Sequence, residues 1–150
     1  MGLDMYLTAE RYMWSMSEED KARSDKIAEL FPELKGAEIK QIEARVGYWR
    51  KANAIHKWFV DKCQEGVDEC QKTWVGRDAL QDLLDTVNKV LADRQLAAEL
   101  LPSASGFFFG STDYDDWYFQ DLEDTKRICE AALELIDSQK GWDIHYQSSW

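Results

Sequence analysis

Two stretches hold most of the residues able to do chemistry. The first is Tyr48-Trp49-Arg50-Lys51-Ala52-Asn53-Ala54-Ile55-His56-Lys57-Trp58-Phe59-Val60. It crowds large aromatics, cations, an amide and an imidazole together. Trp49 or Trp58 could stack on a flat ring, Arg50, Lys51 and Lys57 could meet an anion, and Asn53 and His56 could read polar edges. His56 is also the natural general base of this stretch, although no Ser or Cys nucleophile neighbours it in sequence. The second stretch is Gly106-Phe107-Phe108-Phe109-Gly110-Ser111-Thr112-Asp113-Tyr114-Asp115-Asp116-Trp117-Tyr118-Phe119. Its two glycines let a phenylalanine-rich loop bend sharply. Ser111 adds a hydroxyl and Trp117 another stacking surface. The candidate ligand-binding set is therefore Trp49, Arg50, Asn53, His56, Ser111, Asp113, Asp116 and Trp117.

Each group also has a structural role open to it. A half-buried Asn53 or His56 needs partners, at a cost of roughly 1–3 kcal/mol if it lacks them. The backbone of a neighbouring loop would serve as well as a ligand. Asp113, Asp115 and Asp116 can cap a helix, pair with Arg50 or Lys51, or hold a divalent cation. Their spacing matches no EF-hand, and their charge argues against phosphate on the amides that follow. The pattern GxxxxGK[ST] is absent. The three phenylalanines read as core and lid before they read as a stacking platform.

These groups must be held by elements, and hydrophobic periodicity predicts which. At about 100° per residue, residues 48–63 form a helix with Tyr48, Ala52, Ile55 and Phe59 on its core stripe and Trp49, Asn53 and His56 on one flank. Leu3 to Tyr12 alternates as a strand with one buried face. A charged, peripheral helix runs from Ser17 to Phe31, and a strand from Ala37 to Val46 ends at Gly47. A short strand follows at Glu69–Val75. Leu80, Leu83, Leu84, Val87, Val90 and Leu91 mark an amphipathic helix over Gly76–Leu91. Gln95–Leu101 is a short helix. The longest helix spans Asp113–Gln139, its core stripe Tyr118, Leu122, Thr125, Cys129, Ala132 and Ile136, with Thr112 and Asp115 placed as a capping box. Trp142 to Tyr146 is a last strand. The fold class is α+β: a small antiparallel or mixed sheet with three to four helices packed mainly on one face. All 150 residues form a single domain.

The net charge of −11 and pI near 4.6 argue against a partner that tracks phosphate backbones, so no nucleic acid is expected. No run approaches the ~18 apolar residues of a membrane span, and the N-terminal residues lack a signal-peptide pattern. Cys63, Cys70 and Cys129 form no CxxC, and two histidines lack ligand spacing. No zinc site, other metal or cofactor is expected, and the thiols fit a reducing cytoplasm.

Met1-Gly2-Leu3-Asp4-Met5-Tyr6-Leu7, the block Trp49 to Phe59 and the block Gly106 to Phe119 resemble a family of short, uncharacterised proteins encoded by bacteriophages and prophages. The resemblance covers most of the chain except about residues 15–36. It implies action in a bacterial host cytoplasm and supplies no mechanism. Three functions stay open. The first is binding of a small, nucleotide-like ligand, such as an immune signal, in an aromatic and polar pocket. The second is an acidic interaction module for a host or defence protein, using Asp113 to Asp124. The third is a hydrolase or transferase using His56 with an aspartate. An enzyme is the least favoured.

Overall fold

The computed structural model describes residues 2–150. Four strands and five helices follow one another: β1 (Asp4–Tyr12), α1 (Glu18–Leu30), β2 (Gln41–Arg50), α2 (Asn53–Cys63), β3 (Thr73–Trp74), α3 (Arg77–Ala92), α4 (Ala97–Leu100), α5 (Asp116–Asp137) and β4 (Trp142–Ser149). Short 3-10 turns occupy Pro32–Leu34 and Arg94–Leu96. The strands form one antiparallel sheet in the order β2-β1-β4-β3. The fold is α+β, as the periodicity predicts.

The core lies on one face of this sheet. Leu3, Met5, Leu7 and Ala9 alternate into it from β1, and Ile144 and Tyr146 from β4. Leu80, Leu83 and Val87 of α3 and Leu122, Cys129 and Ala132 of α5 meet them. The stripes read from the sequence on both helices are buried, except that Leu91 and Ile136 are only partly so. By contrast α1 buries only Asp20, which Arg11, Arg23 and the Trp14 amide hold. Those bonds to the ionised form keep its carboxyl below the usual range.

Several boundaries differ from the periodicity reading. The strand β2 does not stop at Gly47 but runs to Arg50, so Tyr48, Trp49 and Arg50 alternate across a strand instead of winding into a helix. Tyr48 consequently stands 45% exposed, and Trp49 is buried. Gly47 breaks nothing. It sits beside the register shift opposite Leu7 and Thr8, where a Cβ would come within 2.4 Å of the Ile128 side chain. Its lack of a side chain admits α5, not a turn. The turn belongs to Lys51, a non-glycine at φ 60°, and α2 begins only at Asn53. The strand expected over Glu69–Val75 shrinks to two residues. Helix α5 starts at Asp116, capped by Asp115, whose carboxylate accepts the Tyr118 N–H at 3.0 Å; Thr112 does not cap it.

Candidate functional site

The two unusual stretches meet. Strand β2 delivers Arg50 to the edge of the core, Lys51 reverses the chain, and α2 leaves from that point. Loop 104–113 lies against this corner, and three hydrogen bonds of Asn53 hold it there. Its amide donates to the carbonyls of Phe109 (3.1 Å) and Ser111 (2.8 Å), and its side-chain oxygen accepts the Ala104 N–H (3.0 Å). Gly110, at φ 82°, packs on the aliphatic stem of Lys51. The Leu3 N–H bonds the Phe108 carbonyl, and the Lys51 N–H bonds the Leu3 carbonyl. Loop, first strand and helix start are thus laced together.

Between this corner and the first turns of α5 lies a cleft of about 320 Å³, at the lower end of the roughly 300–1,000 Å³ usual for small-ligand sites. Arg50, Lys51, Asn53, Ile55, Ser111 and Asp113 line one side, and Asp115, Trp117, Tyr118 and Asp121 the other. Two features favour an anion. No side chain caps α2, whose N-cap is Ala52; the Asn53 N–H is bonded to the Lys51 carbonyl, and Ala52 to Ile55 line the cleft at the positive end of the helix dipole. And among the described residues neither Arg50 nor Lys51 has an ion-pair partner, although acids outnumber bases by 29 to 18 in the chain. Opposite them Trp117 is 80% exposed, a large ring with nothing to cover it.

The carboxylates temper that field. Asp115 is committed to capping α5. Burial pushes the Asp121 carboxyl up to about 7, and the charges of Asp124 and Asp115 add to the shift. Near neutral pH it is therefore partly protonated, and the cleft carries less negative charge than its sequence suggests.

Of the residues singled out from sequence, Arg50, Asn53, Ser111, Asp113 and Trp117 line this cleft, and Trp49, His56 and Asp116 do not. The Trp49 ring is in the core, its N–H donating to Thr125 Oγ1 at 2.9 Å, and that hydroxyl donates in turn to the Asp121 carbonyl. Asp116 points to solvent, with Arg94 at 3.9 Å and neither Arg50 nor Lys51 beside it. His56 is buried and saturated. Nε2 meets the Asp68 carboxylate at 2.8 Å and Nδ1 the Tyr146 hydroxyl at 2.7 Å. The Asp68 carboxylate can only accept, so Nε2 donates to it, and Nδ1 shares a hydrogen bond with the Tyr146 hydroxyl, which burial keeps protonated. Both ring nitrogens are thus engaged by protein groups, and the ring itself is buried. The loop-bonding alternative describes Asn53 as well: it borders the cleft, but its donors and acceptor are already used.

Periodicity did not single out Lys51, Asp115, Tyr118 or Asp121 as one group. Lys51 comes in through a left-handed backbone position, and Asp121 by lying one helical turn beyond Trp117 on the same side. Among the described residues no three His, Cys, Asp or Glu side chains converge as metal ligands do, and no helix is long and apolar enough to cross a membrane. No protein-family model matches this chain, and neither a curated protein nor a solved structure is significantly similar to it.

Proposed function

We propose that the protein binds a small nucleotide-like anion in the cleft between the β2–α2 corner and the start of α5. One observation carries this reading: two cations without carboxylate partners, Arg50 and Lys51, line one cleft together with the uncapped start of α2 and the exposed Trp117. Phosphate would lie on the cations and the helix amides, and a base would stack on Trp117. Ser111 offers a hydroxyl at the rim. The chemistry is capture without turnover. In the bacterial cytoplasm that the phage-family resemblance implies, such a protein would sequester a nucleotide-derived immune signal.

The test is mass spectrometry of small molecules released by denaturing protein purified from its host, joined to thermal shifts with a panel of mono-, di- and cyclic nucleotides. A released nucleotide, or a shift lost in both Arg50→Ala and Trp117→Ala, supports the reading. No released molecule and no shift across the panel ends it.

A second reading has its own observation. Phe107 and Trp117 are 95% and 80% exposed, and the exposed residues around Trp117 in sequence include Asp113, Asp115, Asp116 and Glu123. Exposed aromatics on an acidic stretch suit a basic protein surface. On that reading the protein inhibits a host or defence protein, and charge reversal at Asp116 and Glu123, neither of which lines the cleft, abolishes capture while leaving nucleotide shifts unchanged.

A further inference from the structure

Strand β2 is the sheet's outer edge along all ten of its residues. Its backbone pairs with β1 alone, and among the described residues no other segment bonds it. The direction of its groups follows from two flanking bonds, Lys51 N–H to the Leu3 carbonyl and Met13 N–H to the Lys40 carbonyl. Lys40, Ile42 and Ala44 turn their polar groups toward β1. Gln41, Glu43 and Arg45 turn theirs outward, because antiparallel partners alternate between bonded and non-bonded pairs. The edge therefore presents a ready ladder at Gln41, Glu43 and Arg45.

The side chains on this ladder carry a symmetry. Glu43 and Arg45 share the outer face with Thr8 and Glu10, and both are exposed. Ile42, Ala44 and Val46 lie on the core face, but Ala44 is exposed and the other two only half-buried. The helical layer thus leaves an apolar strip bare along this edge. We propose that a second copy of this chain covers it, adding its own β2 to the open edge, antiparallel, about a two-fold axis through Ala44.

Only that register satisfies both backbone and charge. Outward-facing residues must oppose each other for the ladder to close, which allows centres from Gln41 to Arg45; those on Gln41 and Ile42 set Arg45 against residues that precede the strand, leaving it no charge partner. Centring on Glu43 opposes it to itself, and centring on Arg45 does the same for the guanidinium. Centring on Ala44 places Glu43 opposite the other copy's Arg45 twice over, as two hydrogen-bonded pairs. It also sets Ala44 opposite Ala44, where a non-bonded pair brings Cα atoms to about 4.5 Å. Charges on an edge strand usually repel a foreign strand. Here their order along the strand selects a copy of itself. The register shift beyond Arg45 ends the pairing before Tyr48.

Sedimentation velocity from low to high micromolar concentration tests this. The wild type shows a concentration-dependent dimer. Arg45→Glu sets acid against acid at both pairs and weakens the dimer about tenfold. The exchange Glu43→Arg with Arg45→Glu restores it. Ala44→Cys forms an intermolecular disulfide under mild oxidation that the wild type, with its own three cysteines, does not, since the paired Cα atoms fall within disulfide range. A wild type that stays monomeric throughout, a dimer indifferent to Arg45→Glu, or a charge exchange that fails to restore it overturns the assignment. Unchanged circular dichroism confirms that these surface variants fold.

Discussion

Asp121 gives the sharpest test of the cleft's electrostatics. Its carboxyl rises from 3.8 to about 7 on folding, burial being the main cause and Asp124 and Asp115 the rest. The unfolded chain then loses that proton near pH 4, and the folded chain holds it to about pH 7. Between those values the native state binds more protons, so stability falls as pH rises. A shift of about three units at 1.36 kcal/mol each sets a ceiling near 4 kcal/mol. The side chain is only half-buried in a cleft open to water, and that screening brings the expected contribution to about 1–2 kcal/mol. Asp121→Asn keeps the shape and removes the titration. Urea unfolding of wild type and variant at half-unit steps from pH 5 to 8 isolates the difference. It also cancels other groups, among them His145, whose burial lowers its pKa and gives a slope of opposite sign. The variant's advantage over wild type should be partly present at pH 5, widen as pH rises, and level off above pH 7 at about 1–2 kcal/mol. Parallel profiles would refute the argument that this carboxyl is held protonated by its surroundings.

Four further outcomes follow from the same geometry. If the cleft takes an anion, its affinity measured by calorimetry should rise as pH falls from 8 to 6, because protonating Asp121 removes a negative charge from the lining, and Asp121→Asn should flatten that slope. Asn53→Ala orphans the Ala104 N–H and two loop carbonyls; chemical denaturation should show a loss of about 2–3 kcal/mol, with faster amide exchange in residues 104–111. His56→Ala should cost about 2–3 kcal/mol by leaving the buried Tyr146 hydroxyl without its ring partner and Asp68 with only the Trp150 N–H; a variant of normal stability would show those contacts to be idle. Gly47→Ala should destabilise by about 1–3 kcal/mol through its clash with Ile128, and Ile128→Ala should relieve part of that penalty in the double variant.

Where a segment had a clear period and one buried face, the sequence was readable. The stripes of α3 and α5 and the alternation of β1 placed the core nearly residue by residue. The stretch 48–60 misled because its aromatics fit a helical stripe as well as a strand. Tyr48, Trp49 and Arg50 alternate out, in and out, but three residues are too few for a period-2 signal to outweigh the strong helical pattern that follows. Gly47 carries the usual mark of a stop and is a packing glycine, a distinction visible only once Ile128 is opposite it. Shared composition groups the two unusual stretches into one candidate set, and five of its eight residues line the cleft. His56 does not, because its partners Asp68 and Tyr146 are 12 and 90 residues away, and no local pattern reports such a pairing.

The lacing of loop 104–113 has a consequence for how anything enters the cleft. Phe108 holds the first rung of β1, Leu3 holds Lys51, and Asn53 holds the loop at three points. Swinging the loop aside would unfasten the end of the central sheet, so this wall does not act as a door. The cleft is open to water beside the exposed Trp117 ring, so an anion that bound there would meet a wall already finished before it arrived. Capture would then be fast and single-step, and the cost of ordering the site would have been met when the chain folded.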